Sequence, residues 1–517
     1  MKAKNEQRYR FSEAPIWELQ RRYYEEEGTR AWNNDQVPQY ITSNPMIAAA
    51  YADMIFGFLQ DLASRGQPSE PVTIVELGAG AGRLAFHVLS ELRRLEQYAA
   101  LQLPAYRYVM TDLPMNNIAA WREHPALQPF IAAGVLDFAR FDAVKDTALH
   151  LVVSGETIDA DKLGQPIVVV ANYFFDSIPQ ELIYVGGGRV HETDVYVEYP
   201  EYWESLKPSE LLGKIAIRYE NRPAPEYEQR SYPYHELISF YQEQLEDSHI
   251  LFPAAGLECL ERLSRLSREG FLLITADKGD HLLDSWRFEE PPELILHGSF
   301  SLTANYHALR YHYERQGALG LFPPQHYKNL NVGCILHTER PSEYAQTRLA
   351  YLRSIERFGP DEFFSLKLWA DRQTDEMGLQ QLLSFWRLGG YDAEWFIHAA
   401  KRLSALIPEA NDEEMQDLQS GIERMWSNYF IMPQRYDLAL DAGLLLFEMD
   451  LCEPSKRMLE LSVQHDPEEV VSTVYYCLAI CCFELELEEE AWAYLGRLIE
   501  LEPEHEEALA LLASRQT

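Results

Sequence analysis

The chain has 517 residues, with 45 Lys and Arg against 81 Asp and Glu and a formal net charge of −36. That excess of acid argues against nucleic-acid binding, which Lys and Arg drive through phosphate contacts; it favours cationic partners such as basic protein segments, a solvated acidic exterior being the plainer alternative. A hydrophobic content of 47% supports a buried core, and the length predicts two or three domains.

Six cysteines (Cys259, Cys334, Cys452, Cys477, Cys481 and Cys482) show no C-x-x-C spacing, and three sit on one apolar helix, as reduced core residues would. His235, His249 and His281 are scattered without metal-ligand spacing, so no metal is expected. The polar start Met1–Gln7 reads as lacking a signal peptide. No apolar run is long enough to span a membrane. The expectation is a soluble, reducing, cytoplasmic setting without membrane contact.

Residues 1–70 predict a helical N-terminal segment. Ile16–Tyr24 has amphipathic helical spacing, and a second apolar helix runs from Met46 to Leu62. Thr42, Ser43 or Asn44 could cap that helix with Pro45 in its first position; for Thr42 and Ser43, capping and ligand contact are equally open.

Val72–Val75 reads as a buried strand, followed by Glu76, then Gly78, Gly80 and Gly82 alternating with small residues, then helical spacing over Leu84–Leu92. Strand, glycine turn and helix form the entry to a nucleotide-type site, because glycine lets the backbone approach a ligand with no Cβ in the way. A dinucleotide fold carries its acid about 20 residues further on, for a ribose. Here the acid ends the strand itself. Arg107–Asp112 is a second strand ending in an acid, 30 residues after Gly82. Asp112 is placed to take both hydroxyls of a ribose, or is a plain loop acid. Gly134–Ala143 is a third strand, followed at its end by Asp142; Asp137 lies inside it. Pro166–Ala171 is an uninterrupted and hence central fourth strand that delivers Asn172–Pro179 to the carboxyl edge of the sheet. Alternating strand and helix over 71–185 predicts a parallel sheet with right-handed crossovers. Residues 195–265 form a long insertion rich in Tyr and Glu, read either as a helical cap packed on the domain or as a lid over a substrate groove. His307 could be a general base or a packed loop histidine.

The form Glu76-x-Gly78-x-Gly80-x-Gly82 resembles motif I of class I S-adenosylmethionine (SAM) methyltransferases. SAM lacks a pyrophosphate and carries a sulfonium and an amino group, which a carboxylate at the turn suits. Four pieces in order resemble the MidA-like methyltransferases, the group that includes the mitochondrial complex I assembly methyltransferase. They are Tyr40-Ile-Thr-Ser, Glu76-Leu-Gly-Ala-Gly-Ala-Gly, Asn172-Tyr-Phe-Phe-Asp-Ser-Ile-Pro, and Gly270–Gly279 followed by Gly298–His307. The resemblance covers about residues 30–335. It implies a class I (Rossmann-like) methyltransferase sheet with helical insertions over 71–340, a SAM cofactor, and methyl transfer to a protein arginine or another nitrogen. It also implies that Thr42, Glu76, Gly78, Gly80, Gly82, Asp112 and Asp142 hold the cofactor, Asp142 at the adenine amine. Asn172 and Asp176 would line the reactive edge. Asp176 and Glu181 are the candidate acids for removing an acceptor proton; either could instead be a helix N-terminal acid. The chain departs from the family at Tyr173, Lys278 and Ser301, each replacing a family residue of the reactive edge, which puts an arginine acceptor in question.

From 360 to 517 the chain is helical and acidic, with 18 acids against 4 Lys or Arg in the last 77 residues. Pro433, Pro467 and Pro503 recur at intervals of 34 and 36, and Glu489–Pro503 resembles a tetratricopeptide second helix. The resemblance implies an all-α solenoid of degenerate repeats that recruits a basic protein or peptide, or that supports a homodimer. Other readings are a methyltransferase with a small-molecule acceptor and a non-catalytic assembly scaffold.

Overall fold

The computed structural model describes residues 7–32, 37–66, 70–432, 436–465 and 471–514. It divides into two compact units, Met1–Ser365 and Leu366–Thr517.

The strands of the first unit are β1 (Arg8–Arg10), β2 (Val72–Leu77), β3 (Tyr106–Asp112), β4 (Leu136–Arg140), β5 (Ile167–Asn172), β6 (Glu181–Gly186), β7 (Arg189–Glu198), β8 (Ala216–Pro223), β9 (Ser248–Phe252), β10 (Phe271–Asp277), β11 (Leu319–Leu321) and β12 (Asn331–His337). Its N-terminal helices are α1 (Pro15–Glu27), α2 (Pro45–Arg65), α3 (Arg83–Ala99) and α4 (Met115–Glu123).

Seven strands form one mixed sheet in the order β11-β12-β10-β5-β2-β3-β4. The five from β10 to β4 are parallel; β12 runs antiparallel beside β10, and β11 antiparallel beside β12. All six residues of β2 are buried, as a central strand covered on both faces requires. Register brings the strand ends to one edge. Leu77 lies opposite both Thr111 and Ala171, and Ala276 opposite Asn172. The last residues of β3, β5 and β10 are therefore Asp112, Asn172 and Asp277, all at the carboxyl edge, where open α/β sheets bind ligands.

The stretch expected as a helical cap or lid mixes helices (Pro208–Leu212, His235–Gln244 and Ala254–Ser264) with strands of a second sheet. β7 pairs antiparallel with β6 and β8, and β9 pairs with β6. The addition thus begins at Glu181, before the expected start at 195. Gly187 and Gly188, both with positive φ, make the tight turn that joins β6 to β7. β1 adds to the same sheet, pairing Arg8–Arg10 with Asp194–Tyr196, so the N-terminal segment is not wholly helical. The Tyr-rich composition is explained by packing: Tyr227, Tyr234 and Tyr241 are buried in the main core.

Asn44 caps α2, its Oδ1 accepting from the Ile47 amide at 3.0 Å, with Pro45 in the first position. Thr42 instead donates its hydroxyl to the Gln39 carbonyl within the turn Tyr40–Ser43. Residues Tyr40–Arg65 are long and apolar enough to cross a membrane, with mean hydropathy 1.3, contrary to the expectation; 67% of that apolar window is buried inside the protein, as in a core helix.

Among its described residues the unit Leu366–Thr517 consists of helices and the turns between them. After Leu379–Leu388, Ala393–Leu406 and Asp412–Ser427 come Leu438–Glu448, Cys452–His465, Ser472–Glu484, Glu488–Leu501 and Glu506–Ser514. Tyr391, Asp450 and Glu486 close tight turns between helices in the left-handed region. Of the recurring prolines, Pro433 and Pro467 lie outside the described residues, and Pro503 follows Glu488–Leu501. The six cysteines are free thiols; Cys477, Cys481 and Cys482 are buried.

Candidate functional site

A cavity of about 390 Å³ opens at the carboxyl ends of β2, β3 and β5, within the range usual for small-molecule sites. Its floor is the glycine turn. Gly78, Gly80 and Gly82 have φ of 64°, 56° and 88°, a region L side chains adopt at a cost. A Cβ on Gly80 would lie 3.0 Å from the Trp32 ring, and one on Gly82 2.8 Å from Met110 Cε. Glycine is therefore needed at both positions for backbone conformation and for space.

Glu76 ends the buried run of β2 and lines the cavity at 4% exposure. The Tyr108 hydroxyl donates to its Oε2 at 3.0 Å. Burial, and secondarily the charge of Asp112, push its carboxyl up to about 8, against the hydrogen bond. Such a group welcomes a cation. Asp112 receives the Gly80 amide and Asn117 Nδ2 on Oδ2, each at 3.0 Å, and the Leu113 amide on Oδ1 at 2.7 Å. It ties the glycine turn to β3 while its carboxylate borders the cavity. Burial raises its pKa, opposed by Asn117 and the two amides.

Asp142 also lines the cavity, but its carboxylate is already engaged. Arg21 Nη1 of α1 lies 2.8 Å from Oδ2, Lys145 Nζ lies 3.3 Å from the same oxygen, and the Val144 amide donates to Oδ1 at 3.1 Å. Burial opposes its charge, and Arg21 outweighs burial, holding the group below the usual carboxylate range. Asp137, by contrast, is consumed inside the fold by the amides of Phe138, Val153 and Ser154.

Asn172 is a clamp. Its Oδ1 accepts from the Tyr51 hydroxyl at 2.6 Å, and its Nδ2 donates to the Thr42 carbonyl at 3.0 Å. It joins β5, α2 and the Tyr40–Ser43 turn, and Thr42 borders the cavity beside it. Tyr173 follows with φ 48°, its amide donating to the Ala276 carbonyl. This sharp bend turns Phe174–Pro179 across the sheet edge. Asp176 lines the cavity, while Asp277 lies fully buried behind it. Asp277 Oδ2 accepts from the amides of Phe175 and Asp176 at 3.1 and 3.3 Å, and its Oδ1 from the Lys278 amide at 3.1 Å. The two carboxyls are hydrogen-bonded partners. Burial raises both, Asp176 to about 6 and Asp277 well above the ordinary carboxylate range, the neighbouring Asp176 adding to the latter. Ionising Asp176 thus disfavours ionising Asp277.

Glu181, an expected proton acceptor, stands elsewhere. It opens β6, outside the cavity lining, with its Oε2 3.2 Å from Arg10 Nη2, which is also 3.1 Å from Glu192 Oε2. Burial and Glu192 raise its pKa to about 7, against Arg10. The residues following Pro179 enter the second sheet, which removes Glu181 from the reacting edge. His307 is a packed histidine. Its Nδ1 meets the Tyr241 hydroxyl at 2.9 Å, its ring stacks on Phe240, and burial drives it down to about 4.

Sequence reasoning missed several lining groups. Trp17, Arg21 and Tyr24 come from α1, with Trp32 just beyond. The Trp-Glu-Leu-Gln-Arg-Arg-Tyr-Tyr run carried the signal, read only as amphipathic spacing. Lys278 and His297 line the opposite end, and Asp277 backs Asp176. An acid closing a buried strand, as in Ile-Thr-Ala-Asp, was the clue to Asp277.

Residues 56–277 match the model of a family described as "Putative S-adenosyl-L-methionine-dependent methyltransferase". No curated protein matches the chain. Among solved structures, a native, uncharacterized protein from Burkholderia thailandensis is similar at 18% identity, with 61% of this chain and 73% of that chain covered and a TM-score of 0.38. A superfamily member from the same organism, bound to S-adenosyl-homocysteine (SAH), is similar at 18% identity, 61% and 74% coverage, and a TM-score of 0.39. A DhpI–SAH complex is similar at 11% identity, 63% and 98% coverage, and a TM-score of 0.26. With the family match lying across β2 to β10, over the glycine turn and its acid, the chain is an S-adenosyl-L-methionine-dependent methyltransferase.

Proposed function

We propose that the first unit is a MidA-like methyltransferase acting on a protein or peptide side chain, with the acidic C-terminal helices, read as tetratricopeptide-like repeats, recruiting the substrate in the cytoplasm. The observation that carries the reading is the Asp176–Asp277 carboxyl pair, which opens onto the same cavity as the glycine cradle.

The lining suits the cofactor. Glu76 would meet the amino group, Asp112 the ribose hydroxyls, and the Gly78–Gly80 backbone the methionine portion, with a Cβ on Gly80 pressing on Trp32. Asp142 would reach the adenine amine only as Arg21 gives up part of its contact. Bound there, SAM supplies a methyl group activated by its sulfonium. The protein must align the acceptor and exclude water, and Trp17, Tyr24 and Trp32 supply an apolar wall for that purpose. Asp176 is placed to receive the acceptor proton, since a carboxyl near pH 6 is both ionised and basic enough at neutral pH. Asn172 holds Thr42 and Tyr51 against the cavity wall and is a positioning residue.

Incubating the full chain with methyl-labelled SAM and cell lysate tests the acceptor. Label in acid-precipitable protein, lost in Asp176→Asn and reduced by salt, is the expected result. Label confined to small molecules would overturn the protein-acceptor reading.

A further inference from the structure

One stretch of the cavity lining carries a cation that makes no close ion pair among the described residues, only a longer-range attraction to Asp176. Lys278 follows β10 directly and lines the cavity with Asp176, Ser177, His297 and Ser301. Among the described residues its ammonium makes no ion pair, whereas in the C-terminal unit the buried Lys367 and the partly buried Lys456 pair at 2.9 and 2.7 Å. His297 Nδ1 is buried and has no hydrogen-bond partner. Burial and the Lys278 charge both keep that imidazole neutral, so it can donate a hydrogen bond without adding charge.

Charge balance selects what can enter. Asp176, with its carboxyl near 6, is ionised at neutral pH, and Lys278 offsets that charge. A sulfonium brought into the cavity leaves this stretch net positive. A guanidinium or ammonium acceptor would add a second uncompensated cation beside Lys278, where like charges repel. An anion would satisfy both Lys278 and the orphaned imidazole nitrogen.

Resting on the methyltransferase reading above, we infer that the acceptor carries an anionic group, a carboxylate or phosphate beside the methylated atom, held by Lys278 and His297. Lys278 is thereby a specificity residue that rejects free cationic side chains. The anion could belong to a small molecule or to an acidic or phosphorylated side chain of a protein.

Calorimetric titration of the full-length, SAM-saturated protein with inorganic phosphate and, separately, with methylguanidine tests this. We expect one phosphate per chain, weakened about tenfold or more in Lys278→Met and retained in Lys278→Arg, with His297→Phe weakening it less. Methylguanidine should not bind. Phosphate binding that is absent, or equal in Lys278→Met, or displaced by methylguanidine, would overturn the inference. SAM affinity is measured in the same samples. Loss of SAM binding in the wild type would strike the methyltransferase reading itself, whereas intact SAM binding with no phosphate effect strikes only the anion. Labelled SAM with lysate then separates the sources: label in small molecules assigns the anion to a metabolite, label in precipitable protein to a side chain. In either fraction the label must fall in Lys278→Met and persist in Lys278→Arg.

Discussion

Glu76 offers the sharpest physical test, because its carboxyl is buried and its pKa stands near 8 instead of the ordinary 4.5. In the free protein at pH 6 it is protonated. Pairing with the cofactor's ammonium requires the ionised form, so binding must first release a proton. With a free-state pKa of about 8, the ionised fraction rises from about one hundredth at pH 6 to about one half at pH 8, and SAH affinity should rise about 50-fold across that interval. The same group acts on stability with the opposite sense. A carboxyl whose folded pKa is raised contributes stability that is complete below about pH 4.5 and is lost as pH rises to about 8, a loss of order 5 kcal/mol. Calorimetry with SAH at pH 6, 7 and 8, in buffers of different ionisation heat, reads both affinity and proton release. Thermal scans of the free protein read stability. We expect steep pH dependence in the wild type, release of about one proton at pH 6, and a flat, weaker profile in Glu76→Gln. That variant should also keep its melting temperature better between pH 5 and 8. Wild-type affinity that does not change with pH, or an equal slope in Glu76→Gln, would refute the role given to this acid.

Gly80→Ala should weaken SAH binding about tenfold, since the left-handed backbone costs about 1–2 kcal/mol and the new Cβ presses on Trp32; unchanged affinity would mean the cradle tolerates a side chain. The acidic limb of methyl transfer should lie near pH 6 in the wild type, move to higher pH in Asp277→Ala, which removes a hydrogen bond that holds the Asp176 carboxyl down, and vanish with activity in Asp176→Asn. Glu181→Gln should leave SAH affinity within about twofold, because Glu181 sits on β6 against Arg10. Arg10→Ala should instead destabilise the first unit by about 2 kcal/mol in thermal or urea unfolding, as it removes the cation shared by Glu181 and the fully buried Glu192 and leaves Glu192 to Tyr227 and Arg222.

The elements with strong local signals were legible in the sequence. The β-branched run of β2, the alternating glycines and the acids closing β2 and β3 fixed the cradle, because backbone conformation there leaves few residue choices. The uninterrupted Ile-Val-Val-Val run gave β5 and so carried Asn172 and Asp176 to the right edge. The second sheet was not legible. Its strands β7 and β8 are half polar and Tyr-rich, since one face is solvated, and the pairing of β7 with β1 joins residues almost 190 positions apart. Glu181 was misplaced for the same reason: the chain turns into that sheet immediately after Pro179. The contribution of α1 to the cavity, through Arg21 and Tyr24, depends on tertiary docking that no local pattern encodes. Asp277 and Lys278 were visible as strand-end residues, but the carboxyl pair exists only because register sets β10 beside β5.

Equilibrium titration of the full-length protein with labelled SAM, alongside Asp112→Ala, tests the central claim most directly. The account predicts one site per chain, weakened by about 10- to 100-fold when the acid at the end of β3 no longer offers charge-assisted hydrogen bonds to the ribose. Absence of SAM binding, or an affinity that Asp112→Ala leaves intact, would contradict it.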